Sequence, residues 1–367
     1  MKKVIIFLSL ITTFLLALFA CKKDTKITDP AGEPAKFDGT PYAFSSGSFP
    51  APIIAGDNAL TEQGVQLGRM LFYEKTLSKN NMIACASCHK QEFAFDDTAK
   101  FSIGVLGLKG KRQAMAIFNT AWHTNEFFWD GRAHLLRDQS LLPIQDTLEM
   151  FETLPNIISK LSNNPMYKVQ FVKAFGTSEV TSEKISKAME QFMNSIVSNE
   201  SKYDKYLAGS ATLTPSEDNG RKLFFMEYNQ FFPAQSGAEC SHCHSGFNFT
   251  NNDFMNNGMD TDASITDIGR EKVTNNVADK AKFKVPSLRN IALTAPYMHD
   301  GRFKTLEEVV DHYNNGLKAS TYIDPALENT RGTGLMLTAQ QKTDLVNFLK
   351  TLTDNSLVNN PKYKSPF

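Results

Sequence analysis

Cys85-Ala86-Ser87-Cys88-His89 and Cys240-Ser241-His242-Cys243-His244 use four of the five cysteines in this chain. In each pentad two thiols, two residues apart, can form thioethers to the vinyl groups of a haem, and the adjacent histidine then reaches the iron from one face. If 5 Cys and 7 His were scattered over 367 residues, the expected number of such pentads is on the order of one in a thousand. A zinc ribbon places its second cysteine pair roughly 15–20 residues after the first, whereas Cys88 and Cys240 lie far apart. A redox disulfide has no need of His89 or His244. The pattern therefore points to two covalently bound c-type haems, one held by Cys85, Cys88 and His89, the other by Cys240, Cys243 and His244.

The N-terminus suggests where those haems are attached. Lys2 and Lys3 precede an apolar run from Val4 to Ala20, which reads as an export signal. The run is near the lower length for a membrane span, so a retained anchor helix is the alternative. Ala20-Cys21 at its end resembles the bacterial lipoprotein box, although Phe19 is bulky for it. The expectation is a signal peptide over 1–20, then a lipidated Cys21 and a flexible tether over 21–55, rich in Lys, Asp, Pro, Gly and Ser. The body is then extracytoplasmic, in the periplasm, and held to the membrane by lipid.

Lys plus Arg equals Asp plus Glu, at 39 each, so nothing argues for nucleic acid or an acidic surface as partner. The remaining body, about 310 residues long, exceeds one average domain. Two domains are the natural expectation. Core packing accounts for most of the 28 Phe, and haem pockets also need large apolar walls.

The two halves look like copies. Gly68-Arg69-Met70-Leu71-Phe72 precedes the first pentad and Gly220-Arg221-Lys222-Leu223-Phe224 the second. The second of these helices opens on Thr214-Pro215-Ser216-Glu217, a capping box with Pro at the first helical position. Phe93 and Phe95 follow the first haem histidine as Phe247 and Phe249 follow the second. Trp129-Asp130-Gly131-Arg132 is answered by His299-Asp300-Gly301-Arg302. Internal duplication is the simplest account, with an N-terminal haem domain over 56–205 and a C-terminal one over 206–367. Apolar spacing of three or four predicts helices over 182–198 and 338–352, and the Gly, Asn and Asp of 250–280 predict loops. The fold class is all-α.

These residues resemble the bacterial di-haem cytochrome c peroxidases and their MauG-type relatives, from about Asn58 to Thr353. The most specific signatures are Phe128-Trp129-Asp130-Gly131-Arg132-Ala133 with Gln139, and Val285-Pro286-Ser287-Leu288-Arg289-Asn290 leading to Pro296-Tyr297-Met298-His299-Asp300-Gly301. The resemblance implies two cytochrome-c-like domains whose haems face a shared interface. The N-terminal haem reacts with peroxide and the C-terminal one passes electrons to it. Cleaving a peroxide requires moving a proton from one oxygen to the other, and Glu149 stands where the family carries its catalytic Glu. Gln139 matches a distal amide, and Trp129 a residue between the haems. Read without the family, Glu149 is an ordinary exposed acid and Trp129 a packing residue; Trp122, outside the motif, reads as core.

Three departures matter. The loop Ser102-Ile103-Gly104-Val105-Leu106-Gly107 contains no His, whereas many relatives place a second His ligand there; the first haem is then expected to be five-coordinate and open at rest. Tyr313 stands where a Met ligand to the second haem is usual, as in MauG-type proteins, with Met298 or His312 as alternatives and amphipathic packing as the plain reading. Axial-ligand identity moves haem potentials across roughly 0.8 V. Family calcium sites use an Asn with nearby carbonyls; here Thr294 and Pro296 match the carbonyl positions and Gln113 replaces the Asn, leaving calcium as a candidate.

The expected activity is reduction of hydrogen peroxide to water with electrons from a small c-type cytochrome or similar donor protein. One rival is a MauG-type enzyme that oxidises a protein side chain through a high-valent bis-haem state. The other is a non-catalytic di-haem electron carrier, which has no need of Gln139 or Glu149. A homodimer is among the assemblies the resemblance allows.

Overall fold

The computed structural model describes residues 27–29, 32–232 and 235–367. The expected signal peptide and Cys21 lie outside the described residues. Among the described residues twelve helices follow in order: α1 (Glu62–Tyr73), α2 (Leu136–Gln145), α3 (Leu154–Ser162), α4 (Pro165–Phe175), α5 (Ser182–Ser195), α6 (Lys202–Leu207), α7 (Pro215–Phe225), α8 (Glu271–Thr274), α9 (Leu306–Asp311), α10 (Pro325–Glu328), α11 (Ala339–Lys350) and α12 (Asn355–Asn359). The one sheet among the described residues is an antiparallel pair, β1 (Phe254–Met255) and β2 (Phe283–Lys284), with Phe254 opposite Lys284. The molecule is mainly helical, as its apolar spacing predicts. Within the stretch expected to be loop, β1 and α8 are short additions.

Helix starts follow local chemistry. Thr61 caps α1 by accepting the Gly64 N–H, and Thr181 caps α5 through Lys184. Thr214 with Glu217 on α7, and Thr338 with Gln341 on α11, form full capping boxes, each cap stabilising by about 1 kcal/mol. Two helix pairs then define two cores. α1 lies on α5 so closely that a Cβ at Gly68 would collide with the Ala188 carbonyl, and α7 lies on α11 with Gly220 against the Asp344 carbonyl. Glycine is required at both crossings by space alone.

The first core gathers Leu67, Leu71, Phe72, Phe95, Tyr167, Phe171, Ile185 and Phe192. Tyr203, Phe224, Phe249, Leu345, Phe348 and Leu352 are among the second. Fully burying each such side chain contributes roughly 1.5–3 kcal/mol, so each helix pair owes its stability to this face rather than to propensity. Tyr203 already packs in the second core, while Leu357 and Tyr363 return from the chain's end to the first.

The tether expected over 21–55 is packed along its second part. Asp38 donates its N–H to the Lys173 carbonyl at 2.9 Å and Tyr42 to that of Leu60 at 3.0 Å. Phe49 is buried with Ala121 and Trp122, flanked by Phe44 and Ile54. The Trp122 indole N–H donates to the Pro50 carbonyl at 2.8 Å. Aromatic residues spaced through a Pro- and Ser-rich stretch carry enough apolar surface to hold it down, which composition averages conceal. Trp122 is core, as expected.

Candidate active site

Both pentads open on a single 3-10 turn, Cys85–Ser87 and Cys240–His242. In each, the histidine N–H donates to the first cysteine's carbonyl, His89 to Cys85 and His244 to Cys240, both at 2.9 Å. His89 Nδ1 lies 3.0 Å from the Phe95 carbonyl. His244 Nδ1 lies 3.1 Å from the carbonyls of both Phe249 and Pro286. A proton held at Nδ1 leaves the Nε2 lone pair for a metal. Burial keeps both imidazoles below their ordinary range, His244 at about 4, so both are neutral. The four thiols form no disulfide.

Both pentads line one continuous cavity of about 1240 Å³, whose walls include Phe72, Met189, Met193, Phe224 and Leu349. Single-ligand pockets span about 300–1,000 Å³, so this space exceeds one small ligand. Apolar walls, two thiol pairs and two neutral, oriented imidazoles fit two haems attached through thioethers.

Trp129, Gln139 and Glu149 line the same cavity. A turn with Phe128 at φ 70° and Gly131 at φ 71° presents Trp129. Its indole N–H donates to the Gln113 carbonyl at 2.9 Å, and its own carbonyl accepts the Lys284 N–H at 2.8 Å. Gln139 sits in α2. Glu149 follows that helix in a turn closed by its N–H on the Asp146 carbonyl at 3.1 Å. Burial, with the Asp146 charge adding and Arg132 opposing, pushes the Glu149 carboxyl up to about 7. The His-free loop 102–107 packs directly on this turn. Val105 donates its N–H to the Glu149 carbonyl, and a Cβ at Gly104 would collide with the Leu148 carbonyl.

On the second side, Tyr313 and Met298 meet at one side chain. Asn257 Nδ2 donates to Met298 Sδ at 3.3 Å and to Tyr313 Oη at 3.5 Å. Tyr313 lies in a π-helical turn, His312–Gly316, a local irregularity frequent at functional sites. Burial pushes its phenol up to about 12. His312 is turned elsewhere: its Nε2 lies 2.9 Å from the Asn257 carbonyl, its ring lies against Phe303, and it does not line the cavity.

Gln113, Thr294 and Pro296 all line the cavity. Gln113 Nε2 donates to Asp96 Oδ1 at 2.8 Å and to the Asp97 carbonyl at 3.3 Å, which leaves its amide oxygen available. Asp96 is buried, and burial raises its carboxyl well above the ordinary range.

Sequence reasoning missed Asn257, Lys284, Asp96 and Arg112, the last of which joins Asp130 at 2.6 Å to Asp267 at 2.7 Å. The usable signal was Lys284, directly ahead of Val285-Pro286, though Lys282 on the other side of Phe283 makes it look like part of an ordinary charged stretch. Nothing in the local sequence singles out Asn257.

Comparison with known proteins agrees with this geometry. Residues 62–212 match the family model described as di-haem cytochrome c peroxidase. The methylamine utilization protein MauG of Methylophilus methylotrophus is 30% identical over 313 residues, covering 84% of this chain and 87% of that one. The cytochrome c551 peroxidase of Nitrosomonas europaea is 36% identical over 249 residues, covering 67% and 71%. The crystal structure of a MauG-like protein associated with microbial copper homeostasis superposes with a TM-score of 0.80 at 34% identity, covering 89% of this chain and 99% of that one. A clustered pair of haem-attachment motifs, a half-buried acid on the first side and this breadth of similarity place the chain in the di-haem cytochrome c peroxidase family, MauG-type members included.

Proposed function

We propose that this protein reduces hydrogen peroxide to water, H2O2 + 2H⁺ + 2e⁻ → 2H2O, with electrons from a small c-type cytochrome or similar donor. Each haem, when bound, supplies an iron that exchanges electrons, and the one at His89 supplies the face on which peroxide binds. His89 and His244 hold those irons through Nε2, with Cys85, Cys88, Cys240 and Cys243 as covalent anchors. Glu149 takes the proton from one peroxide oxygen and returns it to the departing one. Gln139 orients the bound oxygens through its amide. Trp129 occupies the junction between the halves and offers a π-system between the two haem sites. The carrying observation is the Glu149 carboxyl, poised at about 7 within the cavity that holds both pentads. A general acid–base works best when its pKa lies near the working pH. The test is to mix holoprotein with peroxide and reduced cytochrome c: donor oxidation is expected, and its absence in fully haem-loaded protein refutes the reading.

A MauG-type role, oxidation of a protein side chain, is the second reading. Tyr313 in the cavity beside Met298 favours it, as does a loop without His over 102–107. Tyr313 is the proposed second ligand at the C-terminal haem, with Met298 as the alternative. The first haem is proposed to be open at rest. A pure electron carrier fits poorly with a half-buried acid poised at about 7 in the cavity.

Internal duplication into two cytochrome-c-like domains is supported by paired geometry. Phe128 and Gly131 have left-handed counterparts in Met298 and Gly301, and Asn119 in Asn290. Phe127 bridges Ala133 as Tyr297 bridges Phe303. The junction is proposed near residue 206, and the packing of Leu357 and Tyr363 in the first core supports a return of the last residues to the first domain. Calcium bound through Gln113, Thr294 and Pro296 is supported by their oxygen chemistry and by Asp96 nearby. A periplasmic location, lipid anchoring through Cys21 and a homodimer complete the proposal; among the described residues no helix is long and apolar enough to cross a membrane.

A further inference from the structure

Lys284 is 2% exposed and lines the cavity. Its ammonium has three protons to donate, and its hydrogen bond is to the Asn252 carbonyl at 3.2 Å. No ion pair joins it to a carboxylate of the described residues. Its other neighbours make matters worse. Lys284 Nζ lies 4.6 Å from the centroid of the Phe254 ring, and the Arg270 guanidinium lies 3.9 Å from the same centroid. Two cations thus crowd one aromatic, and the Arg270 charge disfavours the charged form of Lys284. Burial and Arg270 together bring the ammonium down to about 7, against the Glu126 and Asp253 carboxylates, which favour its charge from a distance without forming an ion pair. His123, half-buried on the cavity wall, is held neutral by desolvation and by the Lys284 charge. A buried ammonium with unused donors is costly unless an anion meets it.

The position says which anion. Asn252, which accepts from the ammonium, lies three residues after Phe249, and Lys284 itself lies two before Pro286. Phe249 and Pro286 are the residues whose carbonyls orient His244. The Lys284 backbone N–H, for its part, is bonded to the Trp129 carbonyl from the first half. We infer that the Lys284 ammonium is the counter-ion of a propionate carboxylate of the haem held at Cys240, Cys243 and His244, clamping it where the two halves meet. The inference rests on the haem reading of the cavity. It makes Lys284 a positioning residue, tying that haem's edge to the backbone that presents Trp129.

The consequence is electronic as well as structural. A positive charge beside the macrocycle favours the reduced iron, and hydrogen bonding and burial are among the levers that set haem potentials. The test uses holoprotein carrying Lys284→Gln or Lys284→Arg, with covalent haem content confirmed independently on denatured protein. In Lys284→Gln the midpoint potential of the second haem is expected to fall and to become pH-dependent through the neutral range, while the first keeps its value. The propionate-bending band in the resonance Raman spectrum is expected to shift with it. Lys284→Arg keeps the charge but spreads its donors over a planar fork, so the potential is retained while the band still moves. That variant carries the test if Lys284→Gln fails to fold. Unchanged potentials and band, or a shift confined to the first haem, overturn the assignment. Wild-type protein without covalent haem overturns the haem reading itself, a result distinct from either.

Discussion

Val105 donates its backbone N–H to the carbonyl of Glu149 at 2.7 Å, so the His-free loop of the first half is fastened to the turn that carries the candidate acid. The fastening depends on Gly104, whose hydrogen faces the Leu148 carbonyl with no space for a methyl group. Gly104→Ala is expected to push loop and turn apart. Overpacking of this kind costs about 1–3 kcal/mol. Peroxide turnover should fall severalfold while covalent haem content stays complete. Turnover and melting temperature equal to wild type would show that the loop does not position Glu149.

Glu149→Gln keeps the shape of the side chain and removes its titration. Turnover is expected to drop about 10²-fold or more, the usual contribution of a positioned acid–base. Near-normal rates would remove Glu149 from the mechanism.

The same carboxyl predicts a stability profile. Its folded pKa is about 7 against an ordinary value of 4.5, so between those limits the folded protein binds the proton more tightly than the unfolded chain. Unfolding free energy contributed by this group therefore falls as pH rises from about 4.5 to about 7 and levels off above. Glu149→Gln should flatten that part of the profile. Denaturant titrations across this range check it, and an identical slope in both proteins would contradict the raised affinity of Glu149 for its proton.

Much of this was legible because it is local or covalent chemistry. The pentads specify thioether attachment within five residues, and the Thr214 and Thr338 boxes announce their helices within four. Repeated Gly-Arg pairs marked Gly68 and Gly220, although why glycine is needed, contact with the Ala188 and Asp344 carbonyls, emerges only when the helices cross. The segment around Phe49 and the return of Tyr363 to the first core were not legible. Both depend on partners more than seventy residues away in sequence, Trp122 and Phe95 respectively, and composition carries no address. Lys284 was missed for a related reason: a buried cation in a two-residue strand looks like any solvated lysine until its surroundings are known.

Asn257 donates to both Met298 and Tyr313, the two residues proposed as alternatives for the second haem's ligand. Tyr313→Phe is expected to change the absorption and paramagnetic resonance spectra of the second haem and leave those of the first unaltered. Met298→Leu should leave both haems as they are if the phenol is the ligand. The reverse pattern, a silent Tyr313→Phe with a perturbed Met298→Leu, would assign the sulfur instead. Asn257→Leu separates ligation from its support. It removes the amide donor that lies 3.3 Å from Met298 Sδ and 3.5 Å from Tyr313 Oη without touching either candidate atom. A ligating phenolate that loses a hydrogen bond becomes a stronger donor to ferric iron, so the second haem's potential should fall while its coordination number stays the same. A potential that stays fixed would mean the amide serves packing alone.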